Sequence, residues 1–303
     1  MTKTLKQVIF PAMGNTVNLT VIGADHLIEH ARHRIAEIES RWSRFIAASD
    51  LSRLNRARGR ATPVHHDTIV LVRYLIDAQW RTAFHFDPTL APTLNALGYE
   101  FSRTDDSLQC ILGEEATSGV DLGKTTIDEQ FNAVTLPFGA TLDAGGLGKG
   151  LAADIVSREL IERGATGVCL SIGGDIRCLG QGPIDGHWSI TVASPKDSAE
   201  PMTTIHLLDG GVATSSLGAK TWNFDGLEHH HVLDSSTKKS VDITKNSIVQ
   251  ATVIASEAVW AEVYATQLLI AGFTTADDSL GCMVIRQDGS IDTNEAWKEF
   301  ERE

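Results

Sequence analysis

A chain of 303 residues with 42% hydrophobic and 21% charged residues has the composition of a folded globular protein and the length to bury a large core. Its formal net charge of −13, without a run of lysine or arginine, argues against nucleic acid or an anionic membrane surface as a partner. No apolar stretch approaches membrane-spanning length and the first ten residues lack a secretory apolar core, so a cytoplasmic protein whose four scattered cysteines (Cys110, Cys169, Cys178, Cys282) stay reduced is expected.

Alternation from Thr16 to Ile22 predicts a strand after a turn at Met13-Gly14. Asp25 is then expected to cap a helix carrying Leu27, Ile28, Ala31, Ile35 and Ile38 at spacings of three and four, running to about Phe45. Ser49-Asp-Leu-Ser-Arg-Leu-Asn55 reads as a polar turn. A second helix is predicted from Asp67, its expected cap, to Thr82, with Ile69, Val72, Leu75 and Ile76 on one face. Pro88 and Pro92 take the following segment out of helix. Its His85, Phe86 and Asp87 read either as a clasp for a flat aromatic ligand or as a plain hydrophobic turn. Leu108 to Leu136 suggests short strands.

The chain is organised around Thr141-Leu-Asp-Ala-Gly-Gly-Leu-Gly-Lys-Gly-Leu-Ala-Ala-Asp154, read as a strand end carrying Asp143, a glycine turn, Lys149 and a helix start. Glycines at 145, 146, 148 and 150 allow positive φ and close approach, and the helix behind them aims free N–H groups and its positive dipole end at the turn. An anionic, phosphate-bearing ligand suits such a turn; so does mere tightening of a strand-to-helix connection. The stretch is neither a P-loop, since Asp143 and Gly150 stand where glycine and Ser or Thr are needed, nor a dinucleotide fingerprint. The helix is expected to show Ala152, Ile155, Val156 and Leu160 on one face and to end at Gly164.

Gly167 to Leu179 reads as one apolar strand interrupted by Gly173-Gly174, a place of close backbone approach. Further strands are predicted at Trp188–Ala193, Thr203–Leu208, His229–Asp234 and Ile248–Ala255, with a turn at Asp209–Gly211. Successive strand residues point to opposite faces, so at most two of His229, His230 and His231 could share a metal, and structural zinc is not expected. Ser256 is expected to cap a helix ending at Gly272, apolar nearly all round and therefore buried. Glu262 and Thr266 share a face of it, and a buried carboxylate needs a partner or a cation. Magnesium or calcium would suit this pair with a carbonyl of the glycine turn.

Taken together and in order, Ala12–Gly14, Ser49–Asn55, Phe86–Thr89, Asp143–Gly150, Ile172–Asp175, Ala213–Ser215, His230–Asp234 and the Ala261–Gly272 helix resemble the FAD:protein FMN transferase family of the ApbE type. The resemblance covers almost the whole chain. It implies one domain, residues 1–303, of α+β class: mixed, mostly antiparallel sheets with packed helices, ApbE-like and T-fold-related. It further implies FAD as substrate, a divalent cation (Mg²⁺, with Ca²⁺ or Mn²⁺ as alternatives) and an acceptor protein carrying a threonine flavinylation motif. By the same resemblance Met13, Phe45, His85, Phe86, Asp87, Asp143, Lys149 and Val232 contact FAD. The Gly146 carbonyl, Glu262 and Thr266 hold the metal, and His231 with Lys149 serves catalysis.

Three positions depart from the family pattern. Glu262 stands where aspartate is usual, Ser216 replaces the glycine of Thr-Ser-Gly, and Asp234-Ser-Ser-Thr-Lys238 replaces Asp-Pro-x-Thr-Gly. An FAD pyrophosphatase releasing FMN and AMP, and a non-catalytic flavin-binding protein, are therefore the competing readings.

Overall fold

The computed structural model describes residues 4–195, 200–218, 220–244 and 246–301. Their contacts group the chain into two compact units, one of residues 1–36, 149–219 and 242–303, the other of residues 37–148 and 220–241.

The first unit is built on an eight-stranded sheet. Its strands are β1 (Leu5–Ala12), β2 (Asn15–Ile22), β3 (Gly167–Ile172), β4 (Asp175–Gly180), β5 (Gly210–Ser216), β6 (Ile248–Ala255), β7 (Gly281–Arg286) and β8 (Ile291–Thr293). They lie side by side in chain order, each antiparallel to the next. The alternation predicted a strand at Thr16–Ile22, and β2 follows it, with Val17, Leu19 and Val21 fully buried. β1, which the sequence did not announce, is an edge strand with most residues exposed and hence no apolar rhythm to read.

The segment expected to be one interrupted strand is a hairpin. Gly173 (φ 62°) and Gly174 (φ 97°) form a two-residue turn between β3 and β4, the left-handed geometry that matches strand twist. Trp188–Ala193 pairs with Pro201–Leu207, and these strands pack with Val212, Ile254, Met283 and Trp297 into a core. β6 is buried along nearly its whole length, as a strand covered on both faces must be.

Two helices complete the site-bearing part of this unit. The first six helices of the chain are α1 (Ile28–Trp42), α2 (Asp50–Asn55), α3 (His66–Arg81), α4 (Ala91–Ala96), α5 (Gly148–Glu162) and α6 (Ala258–Ala271). α6 packs on β5 and β6, and its all-round apolar sequence is buried as expected. Gly211 of β5 lets it approach: a Cβ there would stand 2.2 Å from the Ala258 nitrogen. Ser256 does not cap α6. The cap comes from Asp154 in α5, whose two oxygens accept the N–H groups of Ala258 (3.0 Å) and Val259 (2.9 Å). A carboxylate satisfying two amides at a positive helix end outcompetes a single hydroxyl.

The second unit carries α2, α3 and α4 with several short strands. Ser49-to-Asn55, read as a polar turn, is helix α2, with the Ser49 hydroxyl accepting from the Ser52 N–H at 3.0 Å. α3 is capped by His65, not by Asp67, whose carboxylate instead meets Arg41 at 2.5 Å. In the first unit Asp25 begins a short 3₁₀ turn without acting as a side-chain cap, and α1, which starts there, stops at Trp42 instead of reaching Phe45. Residues 141–144 are irregular, so Asp143 does not end a strand. The strand predicted over His229–Asp234 is broken at His231-Val232, between Leu227–His230 and Leu233–Asp234. Between Leu108 and Leu136 the expected short strands reduce to Thr126–Asp128 and Ala133–Thr135. Among the described residues no helix is long and apolar enough to cross a membrane.

Candidate functional site

In the first unit Lys149 and Gly150 of α5, Asp175 and Glu262 of α6 form one buried charge cluster. Lys149 ion-pairs with Asp175 at the start of β4 and with Glu262 at 2.7 Å. The second oxygen of Glu262 accepts the Gly150 N–H at 2.8 Å. The acids' side chains are only 3% and 2% exposed, whereas Lys149 keeps 21% of its side chain in solvent. Burial alone would depress the Lys149 ammonium, but Asp175 and Glu262 hold its pKa above the usual range. Asp175 is shifted upward, first by burial and then by the charge of Glu262, against the pull of Lys149. Were both acids ionised, the cluster would carry one negative charge in excess; the Asp175 carboxyl, pushed up to about 8, takes up a proton instead.

The arrangement rests on reciprocal capping. Asp154, nearly two turns into α5, receives the first N–H groups of α6; Glu262, about one turn into α6, receives the Gly150 N–H of α5. Two positive helix ends are thereby held together by acids. Glycine at 150 is required, because a Cβ would stand 2.5 Å from the Ala258 carbonyl oxygen. Arg177 in β4 supports Asp154 at 3.2 Å and reaches Asp209 at 2.8 Å. Thr266 hydrogen-bonds the Glu262 carbonyl at 3.1 Å and faces the Ser215 hydroxyl at 3.3 Å, so Glu262, Thr266 and Ser215 sit together. Met13 occupies the β1–β2 turn at φ 53°, its carbonyl accepting from Asn15 at 2.8 Å. That turn borders Gly173, whose N–H donates to the Thr16 carbonyl at 3.0 Å, beside the hairpin that presents Asp175.

The donors suit a hard cation. Glu262, Asp175, Thr266 and Ser215 supply oxygen only, and a divalent ion of the magnesium or calcium type would offset the buried negative charge that ionising Asp175 adds. Among the described residues no group of three or more His, Cys, Asp or Glu is arranged to hold a metal. Any ion here would therefore draw partly on hydroxyl and peptide oxygens.

In the second unit, Asp143 pairs with Arg44 at 3.2 Å, and the Arg44 guanidinium lies over the rings of Phe45 (4.3 Å) and Tyr99 (4.8 Å). Burial lowers the Arg44 pKa, but Asp143 and further neighbours more than offset this, and it ends above its ordinary value. The Asp143 N–H donates to the Pro88 carbonyl at 2.8 Å, tying the glycine-turn approach to the His85–Asp87 loop. That loop is internally fixed: one Asp87 oxygen accepts from the Thr89 N–H (2.9 Å), the Thr89 hydroxyl (2.7 Å) and Gln79 (3.2 Å). Phe86 is buried and His85 partly exposed. Gly146 takes φ 80° in the turn before α5. Asn55 brackets Leu142, donating to its carbonyl (2.8 Å) and accepting from its N–H (2.7 Å).

His231 lies in the strand break, its N–H donating to the Lys220 carbonyl at 3.3 Å, and Val232 is buried beside it. His230 is the locked neighbour, its ring nitrogen 2.8 Å from the Val241 carbonyl and its pKa lowered by burial. The altered Asp234–Lys238 turn is intact without proline or glycine. Asp234 accepts from the Ser236 N–H (2.8 Å) and hydroxyl (2.6 Å), and Lys238 takes φ 56° where the family has glycine. Ser216 lies in extended β5, paired with Gln250, where no glycine freedom is needed.

Sequence reasoning gave no role to Asp175, Asp154, Arg44 or Asn55. The Ile-Gly-Gly-Asp and Ser-to-Asn55 segments did single out the first and the last. Asp154 closes the glycine stretch singled out above, and Arg44 carries no local signature.

This antiparallel sheet with its packed helices defines an ApbE-type α+β fold. The ApbE protein of Thermotoga maritima superposes with a TM-score of 0.84 at 23% identity, over 99% of this chain and 100% of that one. The apo form of the flavinyl transferase ApbE from Pseudomonas stutzeri gives 0.81 at 19% identity, over 99% and 98%. The chain belongs to the ApbE family, whose model matches residues 13–282. Relatives called FAD:protein FMN transferase, from Vibrio cholerae and Salmonella typhimurium, are each 24% identical, over 86% and 91% of this chain and 80% of their own lengths.

Proposed function

We propose that this protein is a magnesium-dependent FAD:protein FMN transferase. It would take FAD, attach FMN through a phosphoester bond to a threonine of an acceptor protein, and release AMP. Family membership and the names of the relatives support the reading. The observation that carries it is Lys149, held by two buried carboxylates at the N-terminal end of α5 with part of its side chain in solvent. A positive group at a helix N-terminus suits a diphosphate, and the buried excess of acid suits a divalent cation.

In the proposed reaction the threonine oxygen forms a bond to the flavin-side phosphorus, the bond to the bridging oxygen breaks, and AMP leaves. His231 is assigned the threonine proton and Lys149 the charge that grows on the diphosphate oxygens. Glu262 and Thr266 would hold the cation, which when bound supplies Lewis-acid polarisation of phosphate oxygens. The other FAD and metal positions named from the resemblance are proposed in the roles given there, each within its own unit, with the whole chain acting as one transferase domain in the cytoplasm.

Incubation with FAD, Mg²⁺ and a panel of threonine-bearing acceptor proteins should yield an acceptor band with flavin fluorescence in a denaturing gel, with one AMP per flavin attached. AMP and FMN without a labelled acceptor would make the protein an FAD pyrophosphatase. Intact FAD across the panel and across Mg²⁺, Mn²⁺ and Ca²⁺ would leave only flavin binding.

A further inference from the structure

The hairpin that presents Asp175 also sets two thiols face to face. Cys169 of β3 and Cys178 of β4 are register partners, with sulfurs 3.6 Å apart. Counted outward from the two-residue turn, whose flanking pair is hydrogen-bonded, they fall at a non-hydrogen-bonded position. There Cα atoms are about 4.5 Å apart, within the span of about 4.4–6.8 Å that a disulfide bridges. The two differ in access. Cys178 is fully buried in the core with Trp188 and Val212, whereas Cys169 lies at the margin of that core and is partly exposed. The remaining cysteines have no such partner in register: Cys282 faces Val253, and Cys110 belongs to the other unit.

We propose that Cys169 and Cys178 form a reversible oxidation site, in which a hydroperoxide attacks through Cys169 and Cys178 resolves the product as a disulfide. In the first step the Cys169 sulfur takes one peroxide oxygen, the O–O bond breaks, and water or an alcohol leaves. In the second the Cys178 sulfur attacks that of Cys169, the S–O bond breaks, and a second water leaves. Two thiols have lost two hydrogens and one peroxide has been reduced. A dithiol reductant reverses the reaction by exchange. The S–H of Cys178 points at the Cys169 sulfur, which favours the thiolate on the exposed residue and the thiol on the buried one. The bond forms one residue from Arg177, which pairs with Asp154, and three from Asp175, which pairs with Lys149.

The test uses the full chain, reduced, freed of reductant and treated with equimolar hydrogen peroxide. Peptide mapping without reductant should show a Cys169–Cys178 link. Thiol titration in denaturant should show two thiols lost, and dithiothreitol should restore both. Cys178→Ala should leave Cys169 as a sulfenic acid that dimedone labels, and Cys169→Ser should abolish the loss at the same peroxide dose. If Cys178→Ala does not fold, iodoacetamide on the native wild type decides: Cys169 should be alkylated first, and that protein should then resist cross-linking. Retention of all thiols under peroxide that oxidises a surface-thiol control protein, a link through Cys110 or Cys282, or equal alkylation of Cys169 and Cys178 would overturn the proposal. None of these readouts depends on flavin transfer.

Discussion

Gly150→Ala separates local from tertiary energetics at the site. Gly150 is inside α5, and by helix propensity alone alanine there should stabilise the protein by about 1 kcal/mol. The surroundings argue the reverse. An added Cβ would stand 2.5 Å from the Ala258 oxygen, 2.7 Å from its carbonyl carbon and 2.8 Å from the Val259 Cα. All three are backbone atoms, so no rotamer relieves the clash. The start of α6 has little room to retreat, because Asp154 holds its amides and Gly211 lies against its other side. Overpacking of this kind costs about 1–3 kcal/mol, and parting the helices breaks the charge-assisted bond from Gly150 to Glu262, about 1.5–3 kcal/mol more. Net of the propensity gain, the variant should lose about 1.5–5 kcal/mol. Its Tm should fall by roughly 3–15 °C at a matched scan rate. In the proposed reaction AMP release from FAD should fall with it, since Lys149 and Glu262 belong to the two displaced helix ends. A Tm equal to or above that of wild type would refute the packing argument, leaving only the propensity effect.

Asp175→Asn removes one of two acids sharing one ammonium, so thermal stability should stay within about 1 kcal/mol of wild type or rise, while AMP release falls at least about tenfold; a paired thermal melt and AMP assay checks both. Arg44→Met strands the Asp143 carboxylate and removes a guanidinium stacked on Phe45 and Tyr99, which should cost about 3–5 kcal/mol in urea unfolding, with part of the loss recovered by adding Asp143→Asn. Burial pushes the Asp154 carboxyl up to about 7, although the Val259 and Ala258 amides and Arg177 act the other way. An unfolded aspartate titrates near 3.9, so between about pH 4 and 7 the native state holds the extra proton and this group's contribution to stability falls as pH rises. Urea midpoints across that range should show the decline, and Asp154→Asn should flatten it.

Where periodicity belonged to the segment itself, the sequence could be read. Trp188–Ala193 and Ile248–Ala255 are strands at the bounds their apolar patterns set, and α6 is buried because it has no polar face to turn outward. Errors arose where one pattern serves two geometries. A glycine pair within an apolar run fits a strand held close to a ligand as well as a left-handed turn between two strands, and Gly173-Gly174 is the turn. The polar stretch from Ser49 to Asn55 looked like loop because its side chains hold other segments. Asn55 is spent on Leu142, and Asp50 on the His65 amide and the Thr68 hydroxyl, leaving a six-residue helix with little amphipathic signature.

At the site, residue type was legible and pairing was not. Lys149, Glu262 and Thr266 stood out because charge and hydroxyl groups in apolar helices demand partners. Nothing local says that Glu262 meets Lys149 and Gly150 across 113 and 112 positions, or that Asp154 caps a helix beginning 104 residues later. Ser256 had the better local claim to that cap, and its failure carries mechanical meaning. A helix capped by its own neighbour could slide or turn against α5 at little cost. A helix whose first amides are held by an α5 acid, and whose own acid holds an α5 amide, has its register fixed to within a hydrogen bond. The length of Glu262 fits this constraint, since one oxygen reaches the Gly150 amide while the other meets Lys149. The longer acid at this position thus takes part in fixing the charge cluster, and shortening it to aspartate should loosen the Gly150 contact before it alters any other.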